Sequence, residues 1–331
     1  MGSDKIHHHH HHMVLTVTLN PALDREIFIE DFQVNRLYRI NDLSKTQMSP
    51  GGKGINVSIA LSKLGVPSVA TGFVGGYMGK ILVEELRKIS KLITTNFVYV
   101  EGETRENIEI IDEKNKTITA INFPGPDVTD MDVNHFLRRY KMTLSKVDCV
   151  VISGSIPPGV NEGICNELVR LARERGVFVF VEQTPRLLER IYEGPEFPNV
   201  VKPDLRGNHA SFLGVDLKTF DDYVKLAEKL AEKSQVSVVS YEVKNDIVAT
   251  REGVWLIRSK EEIDTSHLLG AGDAYVAGMV YYFIKHGANF LEMAKFGFAS
   301  ALAATRRKEK YMPDLEAIKK EYDHFTVERV K

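Results

Sequence analysis

The stretch VDCVVISGSIPPGVNEGICNELVRLARERGVFVFV at residues 147–181 decides the fold class. It opens with the apolar run CVVIS at 149–153 and closes with a second apolar run, VFVFV at 177–181. The intervening residues 162–175 have the spacing of an amphipathic helix. Buried strands joined by a helix are typical of a parallel sheet that helices cover on both faces. We therefore predict an α/β fold.

The same alternation extends to both sides of this stretch. Val14–Leu19 and Val69–Val74 have the pattern of buried strands, and Gly54–Leu64 and Lys80–Ile89 that of helices. Ligands of such sheets bind outside the carboxyl ends of the strands, so we expect the chemistry there. The other predicted elements are strands at 199–201 and 236–240, a hairpin at 246–258, and helices at 130–144, 219–233, 271–286, 290–306 and 314–322.

Two segments, at about 25–48 and 97–122, have a different pattern. Apolar and polar residues alternate in both with a period of two, as for Ile27 and Ile29 in the first segment. The second reads as three short strands, with EKNK at 113–116 as a hairpin turn. We predict that both segments form one small β-sheet outside the main core, inserted into a single domain that spans 13–331.

Composition excludes several classes of protein. The 331 residues include 43 Lys and Arg against 45 Asp and Glu, a net charge of −2 that does not favour nucleic-acid binding. No apolar run approaches the ~18 residues of a membrane span. Cys149 and Cys165 cannot form a disulfide framework, which favours a cytoplasmic location. Residues 1–12 end in six histidines and are an affinity tag, and the other histidines lack metal-ligand spacing.

Four glycine-rich turns follow strands or open helices. They are SPGGKGIN at 49–56, GFVGGYMG at 72–79, SGSIPPG at 153–159 and GAGD at 270–273. Glycine lets backbone N–H groups approach an anion closely, and a helix N-terminus favours negative charge. A single turn of this kind often serves only to reverse the chain. Four at one edge of a sheet indicate phosphate chemistry.

Two common phosphate-binding motifs do not account for these turns. A Walker A loop needs Ser or Thr after its lysine, whereas Gly54 follows Lys53 and Ile81 follows Lys80. The dinucleotide fingerprint GxGxxG lacks its third glycine after residues 270–272. This disfavours a nicotinamide-dependent oxidoreductase.

The GAGD run can support a different kind of chemistry. It places the carboxylate of Asp273 in the first turn of a helix, beside backbone N–H groups that have no helical partner. Such an arrangement combines an anion hole with a general base. An aspartate at this position can also be an ordinary helix cap.

Five motifs together resemble one family. TLNPALD at 18–24, SPGGKGINV at 49–57, TRENI at 104–108, SGSIPPG at 153–159 and GAGDAYVAG at 270–278 occur in this order. The set resembles the PfkB/ribokinase family of carbohydrate kinases, and is most similar to its 1-phosphofructokinase and tagatose-6-phosphate kinase branch. The resemblance implies a ribokinase-like three-layer α/β/α sandwich with a mostly parallel sheet and a β-sheet lid. It also implies ATP and Mg²⁺ as cofactors and a homodimer that pairs through the lid.

The resemblance further implies roles for single residues. Asp273 would deprotonate the acceptor hydroxyl, while Gly270, Ala271 and Gly272 would stabilise the transferred phosphoryl group. The acceptor would contact Asp24, Gly51, Gly52, Lys53, Asn56, Arg105, Asn107 and Ser155, with Lys53 and Arg105 on its phosphate. Arg36 or Arg39 would either join them or carry solvated charge on the lid. The nucleotide would contact Lys202, Asp204, Ser240 and Gly272, and Asp204 is the candidate for contact with Mg²⁺ through water.

Three departures from the family pattern all lie on the nucleotide side. Where the family usually has KPN-x-x-E, residues 202–207 read KPDLRG, so Asp204 replaces the asparagine and Gly207 the glutamate. Residues 240–245, SYEVKN, replace a loop that usually contains glycine. Residues 267–269, HLL, lengthen the approach to GAGD. The acceptor side keeps the family pattern.

The leading hypothesis is an ATP-dependent kinase of a phosphorylated ketohexose, with fructose 1-phosphate converted to fructose 1,6-bisphosphate. Tagatose 6-phosphate and fructose 6-phosphate are alternative acceptors, because each carries a phosphate and a hydroxyl at opposite ends. A second hypothesis is a degenerate kinase that only senses a sugar phosphate. The altered run at 202–207 motivates it, and the retained Asp273 argues against it.

Overall fold

The computed structural model describes residues 12–207 and 209–331, so the predicted tag, apart from His12, lies outside the described residues. Within that part of the chain there is one large sheet, a four-stranded sheet and a two-stranded hairpin. The strands are β1 (Val14–Thr18), β2 (Ala22–Phe28), β3 (Thr46–Gly51), β4 (Ser68–Gly75), β5 (Ile93–Thr95), β6 (Val98–Val100), β7 (Arg105–Asp112), β8 (Thr117–Ile121), β9 (Cys149–Ser153), β10 (Phe178–Gln183), β11 (Val200–Pro203), β12 (Ser211–Phe212), β13 (Val215–Asp216), β14 (Val236–Tyr241), β15 (Asn245–Thr250), β16 (Gly253–Ser259) and β17 (Phe325–Arg329).

The large sheet is parallel over most of its width. Its order is β17-β16-β15-β14-β11-β10-β9-β1-β4-β5, and β6 also pairs with β4. All pairs from β14 to the β5 and β6 edge are parallel, whereas β15, β16 and β17 add antiparallel strands at the other edge. The predicted hairpin at 246–258 corresponds to β15 and β16. The sequence analysis did not predict β17.

Helices cover both faces of this sheet. In the described part of the chain they are α1 (Lys53–Lys63), α2 (Gly76–Ile89), α3 (Asp130–Leu144), α4 (Ile164–Glu174), α5 (Pro185–Glu193), α6 (Phe220–Ala231), α7 (Ala271–His286), α8 (Phe290–Ala304) and α9 (Leu315–Lys320). Alternate side chains of β9 enter two separate cores, Val151 packing with α1, α2, α7 and α8, and Val150 with α3 to α6. The predicted three-layer α/β/α sandwich is confirmed.

The four-stranded sheet forms the lid, in the order β3-β2-β7-β8. Strands β2 and β7 pair in parallel, so two distant segments meet at its centre. The lid differs from the prediction in two places. Val98–Val100 pairs with Phe73–Gly75 of the large sheet and is not part of the lid. Residues 29–42 form a loop with no strand.

The cysteines and the helix lengths can be compared with the expectations from the sequence. Cys149 and Cys165 are both buried free thiols. Among the residues with described positions, no helix is long and apolar enough to cross a bilayer.

Candidate active site

The carboxyl ends of four adjacent strands form one row. Thr18 at the end of β1 is in register with Ser153 of β9. Ser153 is beside Glu182 of β10, which is in turn beside Lys202 of β11. A cavity of about 540 Å³ lies between this row and the lid. The residues predicted from the sequence that line it are Asp24, Gly52, Lys53, Asn56, Arg105, Asn107, Ser155, Asp204, Gly270 and Asp273.

Asp273 lies in the first turn of α7, where the chain leaves the left-handed conformation of Gly270 (φ 75°). Its side chain is buried, with Asn56 donating a 2.8 Å hydrogen bond from Nδ2 to Oδ2. Burial raises the pKa of Asp273, and the nearby Lys53 ammonium opposes that shift. The Ala271 N–H already donates to Leu268 O, so it is not a free donor of the predicted anion hole.

Lys53 sits among carboxylates. Its Nζ lies 3.1 Å from Glu182 Oε1, 3.5 Å from Asp273 Oδ1 and 3.9 Å from Asp204 Oδ2. Although burial acts in the other direction, Asp273 and Glu182 raise the pKa of Lys53, so it remains an ammonium ion. The predicted contact with the acceptor phosphate stays a prediction. What the geometry provides is a cation beside the candidate base.

Glu182 links two lysines and was missed by the sequence analysis. Besides Lys53, it contacts Lys202, whose Nζ is 3.1 Å from Glu182 Oε2. Burial opposes ionisation, but the two ammonium groups lower the pKa of Glu182. Its position at the carboxyl end of the run VFVFVE is the signal that would have identified it. The first turn of α7 is adjacent, since a Cβ on Gly272 would lie 3.4 Å from Glu182 Oε2.

Asp204 is held by Arg206 in a two-point ion pair. Arg206 Nε donates to Oδ1 at 2.9 Å and Nη2 to Oδ2 at 2.8 Å. Burial acts against ionisation, but the Arg206 hydrogen bonds and the Lys53 charge lower the pKa of Asp204. Arg206 itself is 78% exposed and lines the cavity. Ser240, predicted on the nucleotide side, donates to Asp246 Oδ1 at 2.8 Å and does not line the cavity.

Arg105 begins β7 and joins the lid to the segments that follow β1 and β9 of the large sheet. Its Nη2 donates to Asn20 O at 2.8 Å and Ser155 Oγ at 3.2 Å, and its Nη1 donates to Phe123 O at 2.7 Å. Its Nε is buried and has no partner among the described residues. Asn107 accepts from the Phe123 N–H at 3.0 Å. The cavity is therefore lined by both Arg105 and Asp273, the carboxylate that Asn56 contacts.

Lys310 is a second residue that the sequence analysis missed. Its Nζ donates to Pro50 O at 2.9 Å and lies 3.3 Å from Asp24 Oδ2, while its N–H donates to Glu26 Oε1 at 2.9 Å. Lys310 thus connects the segment after α8 to lid strands β2 and β3. It lies in the polar run RRKEK, which gives no signal of burial.

Some predicted residues lie outside the cavity. Arg36 and Arg39 are exposed on the loop 29–42, and Arg36 Nη2 donates to Gln33 Oε1 at 3.0 Å. Gly51 leaves room for the Asp24 carboxylate, because a Cβ there would lie 1.8 Å from Asp24 Oδ2. Lys202 reaches the site through Glu182.

The chain is similar both to a protein-family model and to solved structures. A model of the pfkB family carbohydrate kinases matches residues 20–316. A Staphylococcus aureus protein described as a proposed phosphofructokinase is 27% identical, with 96% of this chain and 99% of that chain covered and a TM-score of 0.72.

Two more distant structures share the fold. Escherichia coli phosphofructokinase-2, in complex with fructose-6-phosphate, is 23% identical over 94% of this chain and 98% of that chain, with a TM-score of 0.77. Arabidopsis thaliana ribokinase, complexed with ribose and ATP, is 15% identical over 93% and 98%, with a TM-score of 0.66.

Proposed function

Because the chain belongs to the PfkB family of carbohydrate kinases, we propose that it transfers the γ-phosphoryl group of ATP to a hydroxyl of a phosphorylated ketohexose. The acceptor that we put first is fructose 1-phosphate, with fructose 1,6-bisphosphate as the product. Tagatose 6-phosphate and fructose 6-phosphate are the alternatives. One observation carries the proposal: a buried carboxylate at a glycine-rich helix start, Asp273, shares one cavity with an arginine, Arg105.

Asp273 acts as the general base. It takes the proton of the acceptor hydroxyl as that oxygen bonds to the γ-phosphorus, and the bond to the bridging oxygen of ADP breaks. A raised pKa strengthens the carboxylate as a base, while Lys53 keeps it ionised. The hydrogen bond from Asn56 fixes the orientation of the carboxylate. Phosphoryl transfer depends mainly on positioning and charge neutralisation, which these contacts supply.

Arg105 and Ser155 form the end of the cavity that receives the acceptor's own phosphate. A guanidinium can bind phosphate oxygens through several N–H groups, and in the described part of the chain nothing accepts from the Arg105 Nε. An unphosphorylated sugar would leave this charge without a counterion. The fructose-6-phosphate bound to the E. coli neighbour makes that compound a necessary member of the acceptor panel.

Mg²⁺ belongs on the donor side of the cavity. Magnesium in such enzymes is usually held by one or two carboxylates together with nucleotide phosphates. Glu182 and Asp204 fit that pattern, and the described residues contain no group of three or more metal-ligating side chains. The ion, when bound, neutralises polyphosphate charge. Both carboxylates contact cations of the chain, so we expect Lys53 and Arg206 to shift toward phosphate oxygens as the nucleotide binds.

A sugar-phosphate sensor without kinase activity is the second candidate. The observation that favours it is the Asp204–Arg206 ion pair, which occupies a carboxylate on the nucleotide side, next to Gly207 in place of a family glutamate. The intact arrangement of Asp273, Asn56 and Lys53 favours the enzyme.

Measurement of ADP release separates these candidates. The purified protein is assayed with MgATP and fructose 1-phosphate, tagatose 6-phosphate, fructose 6-phosphate or free fructose. A kinase of sugar phosphates releases ADP with at least one of the three phosphates and has a far lower specificity constant with fructose. No ADP release, together with binding of a sugar phosphate by calorimetry, would establish the sensor instead.

A further inference from the structure

One face of the lid strand β7 borders the cavity. Successive side chains of a strand point to opposite faces. Arg105, Asn107 and Glu109 all line the cavity. Glu106, between Arg105 and Asn107, pairs with Arg25 at 3.8 Å and does not line the cavity. Glu109 therefore occupies the same face as the two predicted acceptor ligands of this strand, four residues beyond Arg105.

The carboxyl group of Glu109 has an oxygen without a hydrogen-bond donor. Among the described residues, nothing donates to its buried Oε2. Glu26 is opposite Glu109 across β2 and β7, but its own oxygens accept from the Lys310 N–H at 2.9 Å and Gln47 Nε2 at 3.3 Å. Lys310 Nζ is engaged with Asp24 and Pro50 O. The donors that contact Glu26 and Asp24 thus serve other acceptors.

This arrangement costs the free protein stability. A buried polar atom without a partner is unfavourable, and two carboxyl groups directly opposite on neighbouring strands cannot both ionise without repulsion. Four other residues that line the same cavity also have a buried side-chain atom without a partner among the described residues: Thr18 Oγ1, Asn20 Oδ1, Asn56 Oδ1 and Arg105 Nε. Unpaired polar atoms on several walls of one cavity point to a ligand with several hydroxyl groups.

We propose that Glu109 is a specificity-determining residue of the acceptor site, where its carboxyl group accepts a hydrogen bond from a hydroxyl of the sugar phosphate. This inference rests on the proposed function. The acceptor phosphate is at the Arg105 end of β7 and this hydroxyl at the Glu109 end, about 13 Å away along the strand between Cα atoms. An acceptor without the hydroxyl leaves the carboxyl group unpaired and is rejected.

Replacement of Glu109 by residues of similar size tests the inference. Glu109→Leu removes the acceptor atom, whereas Glu109→Gln keeps a carbonyl oxygen. Glu106→Leu is the matched control, three residues earlier on β7 and on its other face. Each protein is titrated calorimetrically with the three sugar phosphates and assayed with a set of their deoxy analogues. Thermal unfolding without ligand confirms that each variant is folded.

We expect Glu109→Leu to weaken acceptor binding about tenfold or more, with the KM for ATP unchanged. Glu109→Gln recovers most of the affinity, and Glu106→Leu equals the wild type. One deoxy analogue is discriminated by the wild type but not by Glu109→Leu. If the wild type binds a sugar phosphate and Glu109→Leu binds it equally well, this inference alone is overturned. The same holds if Glu109→Leu weakens the binding of the acceptor and of ATP equally. A wild type that binds no sugar phosphate overturns the proposed function as well.

Discussion

At Asp273, burial and a neighbouring charge act on the same proton in opposite directions. Burial raises the pKa of the carboxyl group, and Lys53, with Nζ 3.5 Å from Oδ1, opposes the shift. Asp273 was predictable from the sequence because its glycines and its helix start are adjacent to it in the chain. Lys310 was not, because its contact with Asp24 joins residues 286 positions apart. A local sequence pattern identifies a residue whose neighbours in the site are also its neighbours in the chain. It does not identify a residue whose partners in the site come from a distant segment.

Glu109 gives a pH-dependent prediction at the same scale. Burial, together with the charges of Asp24 and Glu26, raises the pKa of Glu109 to about 8 from 4.5. The unfolded chain therefore releases this proton first, and the folded state loses stability relative to it as pH rises from about 4.5 to about 8. Below that range both states are protonated and the penalty vanishes.

Glu109→Gln removes the ionisable group. We expect its melting temperature without ligand to exceed that of the wild type at pH about 9 and the difference to shrink toward pH about 5. Glu106→Gln, which changes a half-exposed residue on the other face, should show no such trend. A Glu109→Gln variant with the same advantage at both pH values would show that the carboxyl group does not titrate as described.

At the scale of elements, most strands and helices follow from periodicity, but their partners do not. Val98–Val100 has the same two-residue period as the lid strands, yet it pairs with β4 of the large sheet. Sheet membership is decided by long-range hydrogen bonding, which the local pattern does not contain. Helix α5 and strand β17, which span 9 and 5 residues, were not predicted from the sequence.

The start of α7 gives a prediction about one turn. Gly270 has a φ of 75°, and a Cβ there would lie 2.9 Å from Met312 Cε and 3.1 Å from Lys310 Cγ. We expect Gly270→Ala to cost about 1–2 kcal/mol of stability through backbone strain. Because it also displaces Lys310 and the helix start, kcat should fall at least about tenfold.

Gly65→Ala is the matched control for this turn. Gly65 has a similar φ of 77°, and nothing lies within 4 Å of its would-be Cβ. It should lose comparable stability in thermal unfolding but keep its kcat. Equal kcat values for the two variants would mean that the turn at Gly270 contributes only to folding.

At the scale of the whole molecule, the lid combines a functional inner face with an apolar periphery. Its inner face carries Asp24, Arg105 and Asn107, whereas Val34 and Leu37 on the adjoining loop are 88% and 75% exposed. Exposed apolar groups of this kind favour a partner surface. We therefore expect the same lid to cover the substrate and contact a second copy.

We expect a homodimer that pairs through the lids. A twofold-symmetric contact would cover the same apolar residues on both copies. Light scattering at micromolar concentration should give a mass near that of two chains, and Leu37→Asp should shift it toward one chain. Lys331→Asp, at the far edge of the large sheet, serves as the control and should leave the dimer intact. A wild-type mass of one chain, unchanged by substrate, would contradict the dimer.

In the reaction that we propose, Asp273 takes the proton of a sugar-phosphate hydroxyl during transfer from ATP. The most direct measurement is the turnover number of Asp273→Asn, from ADP release with the best acceptor of the panel. Asparagine keeps the size of the side chain and can accept the hydrogen bond from Asn56, so folding and acceptor binding should be nearly unchanged. We predict a kcat lower by about 10²-fold or more. A folded variant with near wild-type kcat would contradict the account.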